Sequence, residues 1–207
     1  MKVKNLVITG IALLVIVLLI VFGYRAYLNG ETSLSIAQMS KKKILITYYT
    51  RTNDTSKMAD TIHSLVGGDM IKIEPEIAYP ADKEAYTKRV SEEREKRTIV
   101  PLKTSFPNLK PYKIIFVGTP TPLGITAPPV KSFLIKNSDN LKNKIIIPFI
   151  IYQETNQAMG AYRDITYFVP NSYVKNPYFT GENITGSKKV STERWLTSMK
   201  FKRYELK

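Results

Sequence analysis

The sequence predicts an α/β domain, a parallel sheet with helices on both faces, preceded by one transmembrane helix. Three observations predict it. Residues 6–22 read LVITGIALLVIVLLIVF without a charge. From Ile44 onward, short β-branched runs alternate with longer amphipathic stretches, and that alternation implies parallel strands joined by right-handed helical crossovers. The chain has no cysteine and a single histidine, so its core rests on packing rather than on disulfides or a thiolate metal site.

The apolar run comes first. It lies at the short end of what crosses a hydrocarbon core as a helix. Tyr24 and Tyr27 follow it, where amphipathic rings favour the headgroup level. Lys2 and Lys4 would also suit the start of a cleaved signal, but the run exceeds a usual signal core and no small-x-small site follows closely. Ser35-Ile36-Ala37 is the one weak cleavage candidate, far downstream. The expectation is an uncleaved anchor over 1–28 with a short basic cytoplasmic end, and a domain on the extracytoplasmic side of the cell membrane. Residues 29–41, small and polar, read as a linker, and 42–207 as the domain.

Within the domain, Ile44–Tyr49 is β-branched and aromatic, too short for a helix, and reads as the first strand. Residues 55–66 carry Met58, Ala59, Ile62, Leu65 and Val66 at helical spacing, stopped by Gly67-Gly68. Residues 70–73 form a short second strand. Residues 81–98 are highly charged, with Tyr86 and Val90 as a sparse apolar face, and read as a surface helix. KIIFVG (113–118) and KIIIPFIIY (144–152) are strands buried on both faces. Residues 130–135 and 159–168 are helical. A last strand spans 173–179, with Pro177 marking an edge or bulge. A final helix over 191–199 turns Trp195 and Leu196 inward, with Ser191 as its cap.

Composition excludes several chemistries. Without cysteine there is no thiol nucleophile, no iron–sulfur cluster and no lipid-modified cysteine. His63, the lone histidine, has no identifiable partner and reads as a helix residue. Glu92, Glu93 and Glu95 interleave with Arg94, Lys96 and Arg97, which describes a solvated helical face rather than a catalytic carboxylate pair. Gly118-Thr-Pro-Thr-Pro is no P-loop.

In an open parallel sheet, ligands bind beyond the carboxyl ends of the strands. The loop TRTNDTS (50–56) joins the first strand to the first helix. Hydroxyls at Thr50, Thr52 and Thr55, with free amides at a helix N-terminus, suit a phosphate, and Arg51 adds positive charge. The same residues equally describe a capped turn, since Asn53, Asp54 and Thr55 are all good caps. Asp54 would also repel an anion. The residues leave both readings open.

Several segments resemble the flavodoxin-like family. TYYTRTNDTSKMA resembles its first strand and phosphate loop, and EIAYPADKEAYTKRVSEE the approach to its second helix. YKIIFVGTPTPLGITAPPVKSFL resembles the third strand and second flavin loop, and KNKIIIPF the fourth strand. The resemblance implies a three-layer sandwich with a five-stranded parallel sheet in the order 2-1-3-4-5. It also implies non-covalent FMN and electron transfer through it, the cofactor carrying the reactivity. The phosphate would lie over Thr50, Arg51, Thr52, Asn53, Asp54 and Thr55. The ring would lie between Pro120, Thr121, Pro122, Leu123 and Gly124 on one side and Tyr152, Gln153 and Glu154 on the other.

The loops depart from the family pattern. Asn53 and Asp54 stand where the family has glycine and asparagine, and Pro122 and Leu123 where it has paired tryptophans. Tyr152 is then the candidate for stacking, Gln153 for bonding the ring edge, and Glu154 opposes an anionic reduced ring. The alternative is a flavin-free interaction module tethered at the membrane.

The charge is +14, from 31 basic and 17 acidic side chains. Residues 1–40 hold three basic and one acidic, which leaves 28 against 16, or +12, on the rest. No nucleic-acid motif accompanies it, so the expected partners are an anionic lipid surface and an unidentified redox protein.

Overall fold

The computed structural model describes residues 2–184 and 186–206, with side chains from Gly10 onward except that of Thr155. It divides into two compact units, Met1–Ser33 with Lys200–Lys207, and Leu34–Met199.

Helix α1 (Lys2–Asn29) covers the apolar run, and its stretch Gly10–Asn29 is exposed and long and apolar enough to cross a membrane. Its 28 residues rise about 42 Å at about 1.5 Å each. Strand β1 (Glu31–Thr32) follows, then α2 (Ile36–Ser40). Within this stretch, read as a linker from its composition, a short capped helix forms. Ser35 and Gln38 cap one another reciprocally, Oγ accepting the Gln38 N–H at 3.2 Å and Oε1 the Ser35 N–H at 2.9 Å. Met39 is completely buried.

The doubly wound core comprises β2 (Ile44–Tyr48), α3 (Asp54–Val66), β3 (Asp69–Lys72), α4 (Lys83–Glu95), β4 (Ile114–Pro120), α5 (Pro128–Lys136), α6 (Ser138–Leu141), β5 (Ile145–Tyr152) and α7 (Ala158–Phe168). Strands β6 (Tyr173–Val174) and β7 (Tyr178–Gly181), helix α8 (Lys189–Ser198) and β8 (Phe201–Lys202) complete the chain. Helix α4 starts at Lys83 because Asp82 caps it, Oδ1 accepting the Ala85 N–H at 2.8 Å.

The main sheet runs β3-β2-β4-β5, with β6 and β7 both beside β5, and every pairing is parallel. The last strand, expected as one run over 173–179, is therefore two. β6 pairs with Ile145 and Ile146, and β7 with Phe149 to Tyr152. Pro177 lies in the break, and it has no amide hydrogen to extend a ladder. Beneath α5 and α7 lie Leu45, Ile115, Val117, Ile146 and Ile150, packed with Val130, Phe133, Ala161 and Ile165. The alternate residues Ile46, Phe116, Ile147 and Phe149 are also fully buried, as are Met58 and Ile62 of α3 and Leu196 of α8.

Helix α8 starts two residues earlier than the sequence suggests, and Ser191 does not cap it. Its hydroxyl instead donates to the Lys188 carbonyl at 2.9 Å, inside the first turn. Trp195 does turn inward, its ring centroid 6.2 Å from Phe116 and 5.1 Å from Tyr178.

Candidate functional site

The carboxyl ends of β2, β4 and β5 bring three loops to one edge of the sheet. At the first, the Tyr49 N–H makes the last bond to β4, reaching the Gly118 carbonyl at 3.1 Å. Beyond it the ladder stops. From Thr50 to Ser56 no backbone N–H donates to another group among the described residues. Asn53 adopts a left-handed conformation, φ 66°, and its side chain does not cap α3. Asparagine is among the few residues that tolerate this backbone. A capped turn, one of the two readings open from sequence, is therefore not what forms here. The N-terminus of a 13-residue helix is left with unspent donors, an arrangement suited to an anion.

The hydroxyls divide in use. Thr50 Oγ1 is buried without a partner. Thr55 is 2% exposed, and its hydroxyl has no partner among the described residues. Thr52 differs from expectation, because its hydroxyl donates to Asp54 Oδ2 at 3.1 Å and so has no proton to offer an anion.

Asp54 faces away from the helix amides. Its carboxylate accepts the backbone N–H groups of Asn183 at 3.0 Å and Ile184 at 3.2 Å, and Lys57 Nζ stands 3.5 Å away. Burial pushes its pKa up. The two backbone donors, the Thr52 hydroxyl and Lys57 together outweigh that and hold the carboxyl below its ordinary value. The repulsion expected from sequence is thus met by four donors that compensate the charge locally. Asp54 pins the 182–184 loop to the start of α3.

Arg51 divides two cavities. Its guanidinium lies 4.6 Å from the ring centre of Tyr86 and donates to the Ala81 carbonyl at 2.7 Å, while its Nε is buried without a partner. On one side is a cavity of about 430 Å3 bounded by Tyr49, Thr50, Lys72, Glu74, Tyr79 and Lys103. Tyr49, Tyr79 and Tyr86 follow one another with centroids 6.0 and 5.4 Å apart. Burial raises all three phenols, Tyr49 to about 12, so they stay neutral.

On the other side is a cleft of about 180 Å3 between the three loops, where Arg51, Tyr86, Pro120, Thr121, Pro122, Leu123, Gln153 and Gln157 meet. Thr121 Oγ1 and Gln157 Oε1 are buried there without partners. Leu123 has φ 52° and ψ 28°, unusual for a branched aliphatic residue, and its side chain is 41% exposed. Gln153 donates to Glu182 at 3.1 Å.

Of the residues singled out from sequence, Arg51, Pro120, Thr121, Pro122, Leu123 and Gln153 line this cleft. Thr50 lines the neighbouring cavity, and Thr52, Asn53, Asp54 and Thr55 form the turn into α3. Gly124, Tyr152 and Glu154 are not on the cleft wall. Tyr152 pairs with Gly181 in the sheet, and Glu154 points to solvent. Sequence reasoning missed Tyr86, Gln157, Lys83, Thr87 and Glu182. Tyr86 gave a faint signal as the lone aromatic in a charged helix, although it reads there as core.

A doubly wound parallel sheet with a cleft beyond the carboxyl ends of its strands is the architecture of the flavodoxin-like class. The chain belongs to the flavodoxin family, whose sequence model matches residues 43–198. Among solved structures it is similar to a flavoprotein in complex with FMN from Lactobacillus acidophilus NCFM. That chain is 20% identical with a TM-score of 0.60, over 67% of this chain and 93% of the other. It is also similar to a protein from Bacteroides eggerthii DSM 20697 assigned as a flavoprotein, at 23% identity and a TM-score of 0.64, over 74% and 95%. At these identities the likeness is one of fold. No curated protein matches the chain.

Proposed function

We propose that this protein holds FMN non-covalently and passes electrons through it, anchored to the membrane by α1. The observation that carries the reading is the run from Thr50 to Ser56, whose amides are unspent and whose turn lacks a side-chain cap. Those amides, with the Thr50 and Thr55 hydroxyls, would hold the phosphate. Orphaned buried polar atoms at Arg51 Nε, Thr121 and Gln157 would face the rest of the cofactor, and Leu123 would give it an apolar contact. Bound FMN supplies reversible acceptance of electrons. The chain's own part is to orient the cofactor and to keep Asp54 turned from its phosphate. No side chain is required as a proton donor.

The full chain, purified in detergent, is expected to show flavin absorbance, or to quench FMN fluorescence when FMN is added. A colourless protein that leaves FMN fluorescence unchanged would sink this reading. It would favour the flavin-free module, which one observation supports. The cleft of about 180 Å3 lies below the roughly 300–1,000 Å3 of closed ligand pockets, so a bound ring must stay partly open to solvent or part the loops.

The membrane reading rests on one exposed helix of sufficient length. We assign a single-pass topology with the domain on the extracytoplasmic side. Proteases added to intact cells should then degrade the domain, and full protection would reverse the orientation.

A further inference from the structure

The second compact unit joins residues far apart in sequence. Strand β8 pairs antiparallel with β1, setting Lys202 opposite Glu31 and Phe201 opposite Thr32. The Arg203 N–H then donates to the Gly30 carbonyl at 3.3 Å. Its guanidinium stacks 4.2 Å from the ring centre of Tyr27, and Lys202 Nζ lies 5.9 Å from that of Tyr204. The segment after α8 thus folds onto the exit of the apolar helix.

Tyr24 and Tyr27 are each 55% exposed at the end of that helix, where tyrosine marks the water–lipid boundary. A guanidinium held on Tyr27 therefore sits at headgroup depth. Arg25, on the last turns of the same helix, and Lys202, next to Arg203 in sequence, are both exposed. Of the two acidic side chains described in the unit, Glu31 faces Lys202 across the ladder. Glu205 is buried, with Oε2 accepting the Lys202 N–H at 3.0 Å. A planar guanidinium presents parallel donors that match the oxygens of a phosphodiester.

We infer that Arg25, Lys202 and Arg203 form a basic collar around the helix exit that binds the phosphodiester headgroups of anionic phospholipids. The collar rests on the membrane-span reading. It is independent of the flavin cleft, whose residues all lie in the other unit. Anionic lipid attracts each nearby cation by about 1 kcal/mol, roughly a five-fold preference, and the attraction fades as salt shortens the Debye length.

The test uses the full chain and vesicles of defined composition. Flotation with pure phosphatidylcholine vesicles establishes the span, and a chain that stays behind overturns both span and collar. In floating samples, the association of spin-labelled phosphatidylglycerol is compared with that of spin-labelled phosphatidylcholine. The expected result is a preference of about five-fold or more for phosphatidylglycerol at low salt. It should fall by about five-fold in each of Arg203→Ala and Lys202→Ala, and by less in Arg203→Lys, which keeps the charge but not the paired donors. Lys202→Ala leaves the Tyr27 stack intact, so it remains informative if Arg203→Ala fails to fold. Equal association in the unaltered chain, or a preference indifferent to both alanine variants, overturns the collar. Loss of the preference on adding soluble glycerol phosphate reassigns the site to free phosphate and also overturns it.

Discussion

The Asp54 carboxylate accepts the backbone N–H of Ile184 at 3.2 Å, across 130 positions of sequence. With the Asn183 N–H at 3.0 Å, this contact fixes the 182–184 loop to the first turn of α3. Replacing Asp54 by alanine leaves two loop amides without their acceptor, a loss of about 2–3 kcal/mol, measurable by urea denaturation. The pH dependence follows from the lowered pKa. A carboxyl whose pKa falls on folding contributes stability above its unfolded value of about 3.9, and that stability is lost as pH falls through the folded value. Below about pH 4 the unaltered protein should therefore lose stability more steeply than Asp54→Ala.

The two threonines of the first loop should separate cleanly. Thr55 keeps an unspent hydroxyl, whereas Thr52 donates its proton to Asp54. Thr55→Val should weaken FMN binding by about ten-fold or more, the usual value of a hydrogen bond to a charged group, with little change in stability. Thr52→Val should act through Asp54, moving the acid transition to higher pH while changing FMN affinity less. Fluorescence titration and pH-dependent denaturation read the two effects. Equal losses of affinity would contradict the division of roles.

Gly160 on α7 stands against the second loop, and a Cβ built there would overlap the Gly124 carbonyl oxygen. Backbone cannot rotate aside as a side chain can. Gly160→Ala therefore sets an overpacking cost of about 1–3 kcal/mol against a helix-propensity gain of about 1 kcal/mol. The net expectation is a lower melting temperature, by about 2–4 °C per kcal/mol for a chain of this size. FMN affinity should fall as well, because the relief comes from shifting Thr121 to Gly124. A variant that melts higher with unchanged affinity would show that the loop position does not matter.

The parts of this protein written locally were legible in its sequence. Ile44 to Tyr48, Ile114 to Pro120 and Ile145 to Tyr152 are buried almost throughout, and a strand covered on both faces must be a continuous apolar run. What escaped depends on partners distant in sequence. Asp54 looks like an intruder at an anion site until the Asn183 and Ile184 amides are brought to it. Tyr86 looks like a core residue until Arg51 lies over its ring. The short helix at 36–40 is not legible from composition, since Ser35 and Gln38 carry its capping box among small polar residues.

Leu123 offers the sharpest separation of stability from binding. Its left-handed backbone costs a branched residue about 1–2 kcal/mol, and its partly exposed side chain borders the cleft. Strain of this kind persists where the surrounding loop imposes it, often at ligand contacts. Glycine at 123 would relieve the strain but give back about 0.4–1 kcal/mol through a freer unfolded chain. Leu123→Gly should thus be neutral to about 1 kcal/mol more stable by urea denaturation, yet bind FMN more weakly for want of an apolar contact. Leu123→Ala keeps the strained backbone and loses the same contact, so it should match glycine in affinity without the gain in stability. If glycine bound FMN as well as leucine does, the cleft wall would owe nothing to this side chain, and the strain at 123 would have no role in holding the cofactor.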